Sequence, residues 1–238
     1  MTVAPSDPAR AYAPDGDIEH PPLAPLLEIL ARLEARSLPH ALGASGLLAA
    51  LGLVSVVNDW DITVAAPVAT LVEVCSGLQF EYSGNSGCHA DHKLAFERER
   101  VELIAGFAFF VPSGVVRIPT VITGTWQGIP VGSPTAWAVA YALMGEAENS
   151  PRRRARAESL FDVLSRGPAE PAVLDTLLAQ PLPDVVARRL RAESIASPSF
   201  AREHIQCERR DPVEDQHPVQ VVDLVEDDAG REVRGLEM

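Results

Sequence analysis

Two stretches decide the fold: LGASGLLAALGL, residues 42–53, and NDWDITV, residues 58–64. In the first, Gly43, Ala44, Ser45 and Gly46 stand where a short strand hands over to a helix. In the second, Asp59 and Asp61 lie two apart in a strand-like run. A strand sends alternate side chains to opposite faces. Asp59, Asp61 and Thr63 therefore share one side, while Trp60, Ile62 and Val64 fill the other. Two aligned carboxylates near a glycine-rich, serine-bearing turn are a candidate site for a metal-bound nucleotide. An edge strand with solvated aspartates at its start shows the same alternation, so both readings stand at this point.

Outward from these stretches the chain divides by composition. Residues 1–21 are polar and proline-rich and are expected to form a disordered lead. Leu23, Leu26, Leu27, Leu30 and Leu33 recur at helical spacing, which predicts a helix over Pro22–Arg36. SLPHALGA reads as a short strand. SGLLAALGL reads as a helix capped by Ser45 and ended near Gly52. Pro67 opens a further helix, running to about Gly77. LQFEYSG, HKLAFER, RVELIAGFAFF and VVRIPTVI are expected strands, rich in aromatic and β-branched residues, with a turn at Glu97–Arg100.

The pattern changes at GSPTAWAVAYALMGE, where Ser133 reads as a helix cap and Pro134 as the first helical residue. RRRARAESLFDVLSR, PAVLDTLLAQ and PDVVARRLRAES predict more helices. The expected organisation is an α+β domain over residues 22–132, a helical domain over 133–197 and an acidic flexible tail over 198–238. The expected fold class is α+β: a small mixed sheet flanked by helices, followed by a helical region.

Composition narrows the function. The chain has 238 residues, 47% of them hydrophobic and 22% charged, as in a water-soluble globular protein. No apolar run is long enough to span a bilayer, and the N-terminus lacks the pattern of a secretory signal. A cytoplasmic location is expected. Cys75, Cys88 and Cys207 are few and widely spaced, which favours reduced thiols over a disulfide framework. A formal net charge of −13 argues against broad nucleic-acid binding. A small-molecule or protein partner is expected instead.

Three groups of residues can carry chemistry. Asp59 and Asp61 offer carboxylate oxygens, the ligands that Mg²⁺ takes alongside substrate phosphates, and two carboxylates on one face can bridge two metals. Gly43 permits close backbone approach, and Ser45 adds a hydroxyl; a plain strand–turn–helix with a serine cap has the same sequence. Glu102 lies with Ile104 on one face of an otherwise apolar strand, where a carboxylate is costly unless paired or metal-bound; a strand-edge glutamate is the other reading. The spacing excludes a nucleophile elbow, because Leu47 stands where glycine is required. A phosphate-binding loop of the G-x-x-x-x-G-K-[ST] type is absent as well. CHADH groups Cys88, His89, Asp91 and His92, but a structural zinc site needs a second ligand pair and none follows. Trp126, Trp137 and Tyr141 read as packing residues, and Arg117 as a strand residue able to face a cleft.

The order LGASGLLAALGL, NDWDITV, RVELIAGFAF resembles the nucleotidyltransferase superfamily, the DNA polymerase β-like fold. The long spacing from Ser45 to Asp59 is similar to the small-molecule branch, which holds lincosamide and aminoglycoside nucleotidyltransferases. WQGIPVGSPTAWAVAYALMGE, with a helix after its S-P pair, is similar to the same branch. The resemblance covers roughly residues 22–165. It implies that Asp59, Asp61 and Glu102 bind catalytic Mg²⁺, with Glu102 helping to deprotonate the attacking hydroxyl. It implies that Gly43 and Ser45 hold the β- and γ-phosphates of a nucleoside triphosphate such as ATP. The reaction would place a nucleoside monophosphate on a small-molecule or protein acceptor. Two departures stand out. Ala44 follows the first glycine, displacing Ser45 by one. The family's R-x-x-K after the helix is replaced by EAENSPRRRARAESLF, in which Arg152, Arg153, Arg154 or Arg156 could meet the triphosphate, Arg154 and Arg156 being the residues chosen. An alternative keeps the fold without catalysis, as a binding or regulatory protein such as a toxin partner.

Overall fold

A computed structural model describes residues 10–167 and 170–196, the last four as backbone only. The α+β expectation is met. Seven strands form one mixed sheet: β1 (His40–Leu42), β2 (Trp60–Val64), β3 (Glu81–Ser83), β4 (His92–Phe96), β5 (Val101–Ala105), β8 (Ile122–Trp126) and β9 (Ile129–Gly132). Their order is β3-β4-β5-β2-β1-β9-β8. The central pair β2–β5 is parallel, as is β1–β9, and the other pairs are antiparallel. A separate hairpin pairs β6 (Ala108–Val111) with β7 (Gly114–Arg117).

The order follows from the local chemistry of the chain. Helix α1 (Leu23–Ala35) buries Leu26, Ile29, Leu30 and Leu33, the helical stripe visible in the sequence. β2 and β5 bury their alternating apolar residues, and Trp60 lies fully buried against Trp126, ring centroids 6.1 Å apart. β4 and β5 form a hairpin around residues 97–100, as expected from ERER. Helices α2 (Ala44–Ala50) and α3 (Val68–Val74) are short. Helix α4 (Pro134–Ala147) opens on Ser133, whose Oγ accepts from the Ala136 amide at 3.0 Å, with Pro134 as its first residue. It is apolar almost all round and lies in the core, where α5 (Pro151–Leu164) packs along it. α6 (Pro171–Leu178) and α7 (Asp184–Ala196) complete the described chain.

Several expectations change. Residues 1–9 of the expected lead lie outside the described residues; within 10–21 the Tyr12 amide donates to Thr125 O at 2.8 Å, the Val57 amide donates to Glu19 O at 2.8 Å, and the Tyr12 ring is buried. A segment that looks polar in one dimension gains backbone partners at the sheet edge, on β8, and in the loop before β2. RVELIAGFAFF is two strands, because Gly106 takes φ +65° and turns the chain out of the sheet. VVRIPTVI is likewise split into β7 and β8 around Ile118–Val121. Of LQFEYSG only Glu81–Ser83 pairs, at the edge. The 198–238 tail lies outside the described residues, as does Cys207; Cys75 and Cys88 are free thiols. Among the described residues no helix is long and apolar enough to cross a membrane.

Candidate active site

The parallel register of β2 on β5 sets Asp61 beside Glu102. Paired residues of adjacent strands point to the same face, so one carboxylate from each strand enters the same space. Asp59 stands just before β2 on the same side. All three line one cavity of about 570 Å³. Ala44 and Ser45, at the start of α2, form part of its wall, and Trp137 and Tyr141 of α4 form another. Arg152, Arg153 and Arg156 of α5 supply positive charge opposite the carboxylates.

The acids interact strongly. Burial raises Asp61 from its ordinary 3.8 to about 8; the charges of Asp59 and Glu102 add to the shift, and Lys93 and Arg156 oppose it. A carboxyl so displaced marks a group of negative charges short of cations, which is where functional sites concentrate. The donor set is all oxygen and fits a hard divalent cation such as Mg²⁺; binding one would relieve the repulsion that displaces Asp61.

Lys93 is a member of the site that sequence reading missed. Its Nζ donates to Glu102 Oε1 at 2.8 Å, across the β4–β5 pair. Burial alone would lower Lys93, but the charge and hydrogen bond of Glu102, together with Asp91 and Asp61, carry it above its ordinary 10.5. The signal was present: in HKLAF, Leu94 and Phe96 are buried core residues, so Lys93 and Ala95 face the side that Glu102 faces. Tyr141 does more than the packing expected of it. Its hydroxyl accepts from Arg156 Nη1 at 3.1 Å, and burial pushes its phenol up to about 12, so it stays neutral.

The Gly43–Ser45 turn differs from its expected form. The cap of α2 is Gly43, with no side-chain cap bond, so Ser45 is inside the helix and does not cap it. Ser45 is 3% exposed and its Oγ has no hydrogen-bond partner among the described residues. A buried hydroxyl left unpaired costs roughly 1–3 kcal/mol, and this one sits in the cavity wall. Ala44 takes φ +42°, in the left-handed region that residues with a Cβ avoid, so the backbone is strained at the site. Gly43 is not in the wall. Its place is steric: a Cβ there would stand 1.9 Å from Trp137 Cζ2. The displaced Ser45 thus reaches the cavity while Gly43 lets α4 close over the turn.

The arginine run divides. Arg156 lines the cavity, as do Arg152 and Arg153. Arg154, expected with Arg156 to meet the triphosphate, is not brought there: its guanidinium donates to Gly145 O and to Asn149 Oδ1, at 2.9 and 3.2 Å. Successive helical residues point about 100° apart, so neighbours in an arginine run cannot all face one cavity. Arg117 is exposed on β7 and does not line the cavity.

No known family model and no curated protein matches the sequence. Among solved structures, the chain is similar to a candidate nucleotidyltransferase from Thermotoga maritima, at 22% identity over 61% of this chain and 93% of that one, TM-score 0.42. It is also similar to the antibiotic-resistance factor ANT(2'')-Ia in solution, at 16% identity over 79% of this chain and 97% of that one, TM-score 0.46. The same factor in complex with adenylyl-2''-tobramycin overlaps with a TM-score of 0.45 at 16% identity, over 72% of this chain and 98% of that one. Overlaps this slight carry no inference about what the present chain binds or transforms.

Proposed function

We propose that the chain is a Mg²⁺-dependent nucleotidyltransferase of the cytoplasm. It would move a nucleoside monophosphate from a nucleoside triphosphate, ATP among the candidates, to a hydroxyl of a small-molecule or protein acceptor. One observation carries this reading: Asp61 and Glu102 pair in register on parallel strands and share a cavity with Asp59, an unpartnered Ser45 hydroxyl and three arginines.

Asp59, Asp61 and Glu102 would hold Mg²⁺, which when bound would neutralise the triphosphate and align it for attack. Ser45 Oγ would donate to a phosphate oxygen, satisfying a hydroxyl otherwise stranded. Arg156, braced on Tyr141, and Arg152 would face the triphosphate charge. Glu102 would accept the acceptor's hydroxyl proton. The new bond joins the acceptor oxygen to the α-phosphorus, and the bond from that phosphorus to the bridging oxygen breaks, releasing pyrophosphate. Catalysis would rest on positioning and fixed charge. Four walls of the cavity come from β2, β5, α2 and the α4–α5 pair, so the 22–132 and 133–197 segments would act together rather than as separate units.

Calorimetry with ATP, GTP, CTP and UTP, with and without Mg²⁺, tests the reading on wild type and Asp61→Asn. Metal-dependent binding of at least one nucleotide, lost in the variant, is expected. No metal-dependent binding of any nucleotide would refute it. Binding with no pyrophosphate release for any acceptor would favour the non-catalytic module.

A further inference from the structure

We propose that Cys88, His89 and Glu148 form a second metal site, of zinc type, on the rim of the carboxylate cavity. The three residues come from elements about sixty positions apart in sequence, and their donor atoms all lie within 4.8 Å of one another. Ligands about 2.0–2.3 Å from a tetrahedral zinc stand roughly 3.3–3.8 Å apart, so small side-chain rotations close the site.

The surroundings are built for it. The loop that carries Cys88 and His89 is pinned to β6: the Phe110 amide donates to Cys88 O at 2.8 Å and the Ala90 amide to Ala108 O at 2.9 Å. His89 Nδ1 faces Asp91 Oδ2 at 3.3 Å, and Asp91 is 2% exposed. A buried carboxylate on one ring nitrogen fixes the tautomer and leaves Nε2 as the lone-pair donor, the arrangement that orients metal-binding histidines. The ring is held against Phe109, centroids 5.0 Å apart. Glu148 keeps Arg153 on Oε2 at 2.7 Å and has a second oxygen to offer.

The donors select the ion. Sulfur, nitrogen and oxygen together suit zinc and are foreign to Mg²⁺. As the sulfur–zinc bond forms, the Cys88 proton passes to solvent. Three protein ligands leave a fourth position, and His89 and Glu148 both line the cavity, so that position opens there. Bound zinc would tie the Cys88–His89 loop to Glu148 in the α4–α5 turn, next to the first turn of α5 that carries Arg152 and Arg153. The site stands independently of the nucleotidyltransferase reading, since it shares none of the three carboxylates.

Co²⁺ titration of the full chain under reducing conditions, after removal of metals with chelator, reads the site directly. One equivalent is expected to give thiolate-to-cobalt charge-transfer absorption, bleached by Zn²⁺ and unaffected by excess Mg²⁺. Cys88→Ser should abolish the band, while Asp61→Asn and Cys207→Ser should keep it. Asp91→Asn should weaken Zn²⁺ binding by roughly 10–100-fold, and its unchanged circular dichroism would separate that loss from misfolding. No charge-transfer band in the wild type, or a band that survives Cys88→Ser, overturns the proposal. So does a band lost equally in Asp61→Asn.

Discussion

Two regions of the molecule hold an acid in a poorly solvated place, and they resolve the cost differently. At the start of α4, Glu170 is met by hydrogen-bond donors: Ser133 Oγ donates to its Oε2 at 2.5 Å and the Thr135 amide at 3.1 Å. Burial still raises the Glu170 carboxyl, but these donors pull it back. In the cavity, burial raises Asp61 and two further acids raise it more, opposed by Lys93 and Arg156. The first acid closes a helix end and is structural. The second belongs to an array of like charges that stabilises nothing by itself. A buried acid is therefore informative through its company: donors indicate a cap, whereas other acids mark a candidate cation site.

Substitution should separate the two. The largest effect is expected from Asp61→Asn, which should lower nucleotidyl transfer by about 10²–10³-fold while leaving the fold intact, on the scale of removing a principal charge-stabilising group. Pyrophosphate release per folded molecule measures it. Glu170→Ala should act in the opposite domain of effect, costing about 2 kcal/mol of stability by stranding Ser133 and Thr135, with transfer per folded molecule unchanged. Urea unfolding read beside the same assay would break the comparison if Glu170→Ala lowered transfer per folded molecule or Asp61→Asn lowered stability.

The pH dependence sharpens it further. Asp61 is protonated more readily in the folded protein than in the unfolded chain, so between its ordinary 3.8 and about 8 the folded state binds more protons. Stability of the metal-free protein should then fall as pH rises through that window. Asp61→Asn should flatten the slope and raise stability at pH 8 by roughly 1–2 kcal/mol, discounted because the side chain is partly open to the cavity. Thermal melts across pH, with and without Mg²⁺, check it; a slope unchanged in the variant would assign the effect elsewhere. The smallest effect is expected from Ser45→Ala. Removing an unpaired hydroxyl should leave stability level or slightly higher, and should weaken nucleotide binding several-fold by losing one phosphate donor.

Much of this site was legible in one dimension because alternation along a strand is a local property. NDWDITV already separates Asp59 and Asp61 from Trp60 and Ile62, and RVELIAGF already isolates Glu102 among apolar residues. What it does not contain is partner choice. Lys93 meets Glu102 only because β4 folds back on β5, and Glu148 reaches Cys88 and His89 only because α4 ends beside the β3–β4 loop. Arg154 shows the same limit from the other side, since the turn of α5 and not the run of like residues decides which guanidinium faces inward.

Sequence alone, then, determined most element types, the α+β class and the three candidate carboxylates, because periodicity, caps and the cost of an acid among apolar residues act within a few positions. Tertiary structure alone decided that β2 lies parallel to β5 with Asp61 beside Glu102, that Arg10–Tyr12 meet β8 at the sheet edge, and that Ser45 lines the cavity while Gly43 sits under Trp137. Those outcomes depend on which distant surfaces bury each other, and no short stretch of the chain encodes that selection.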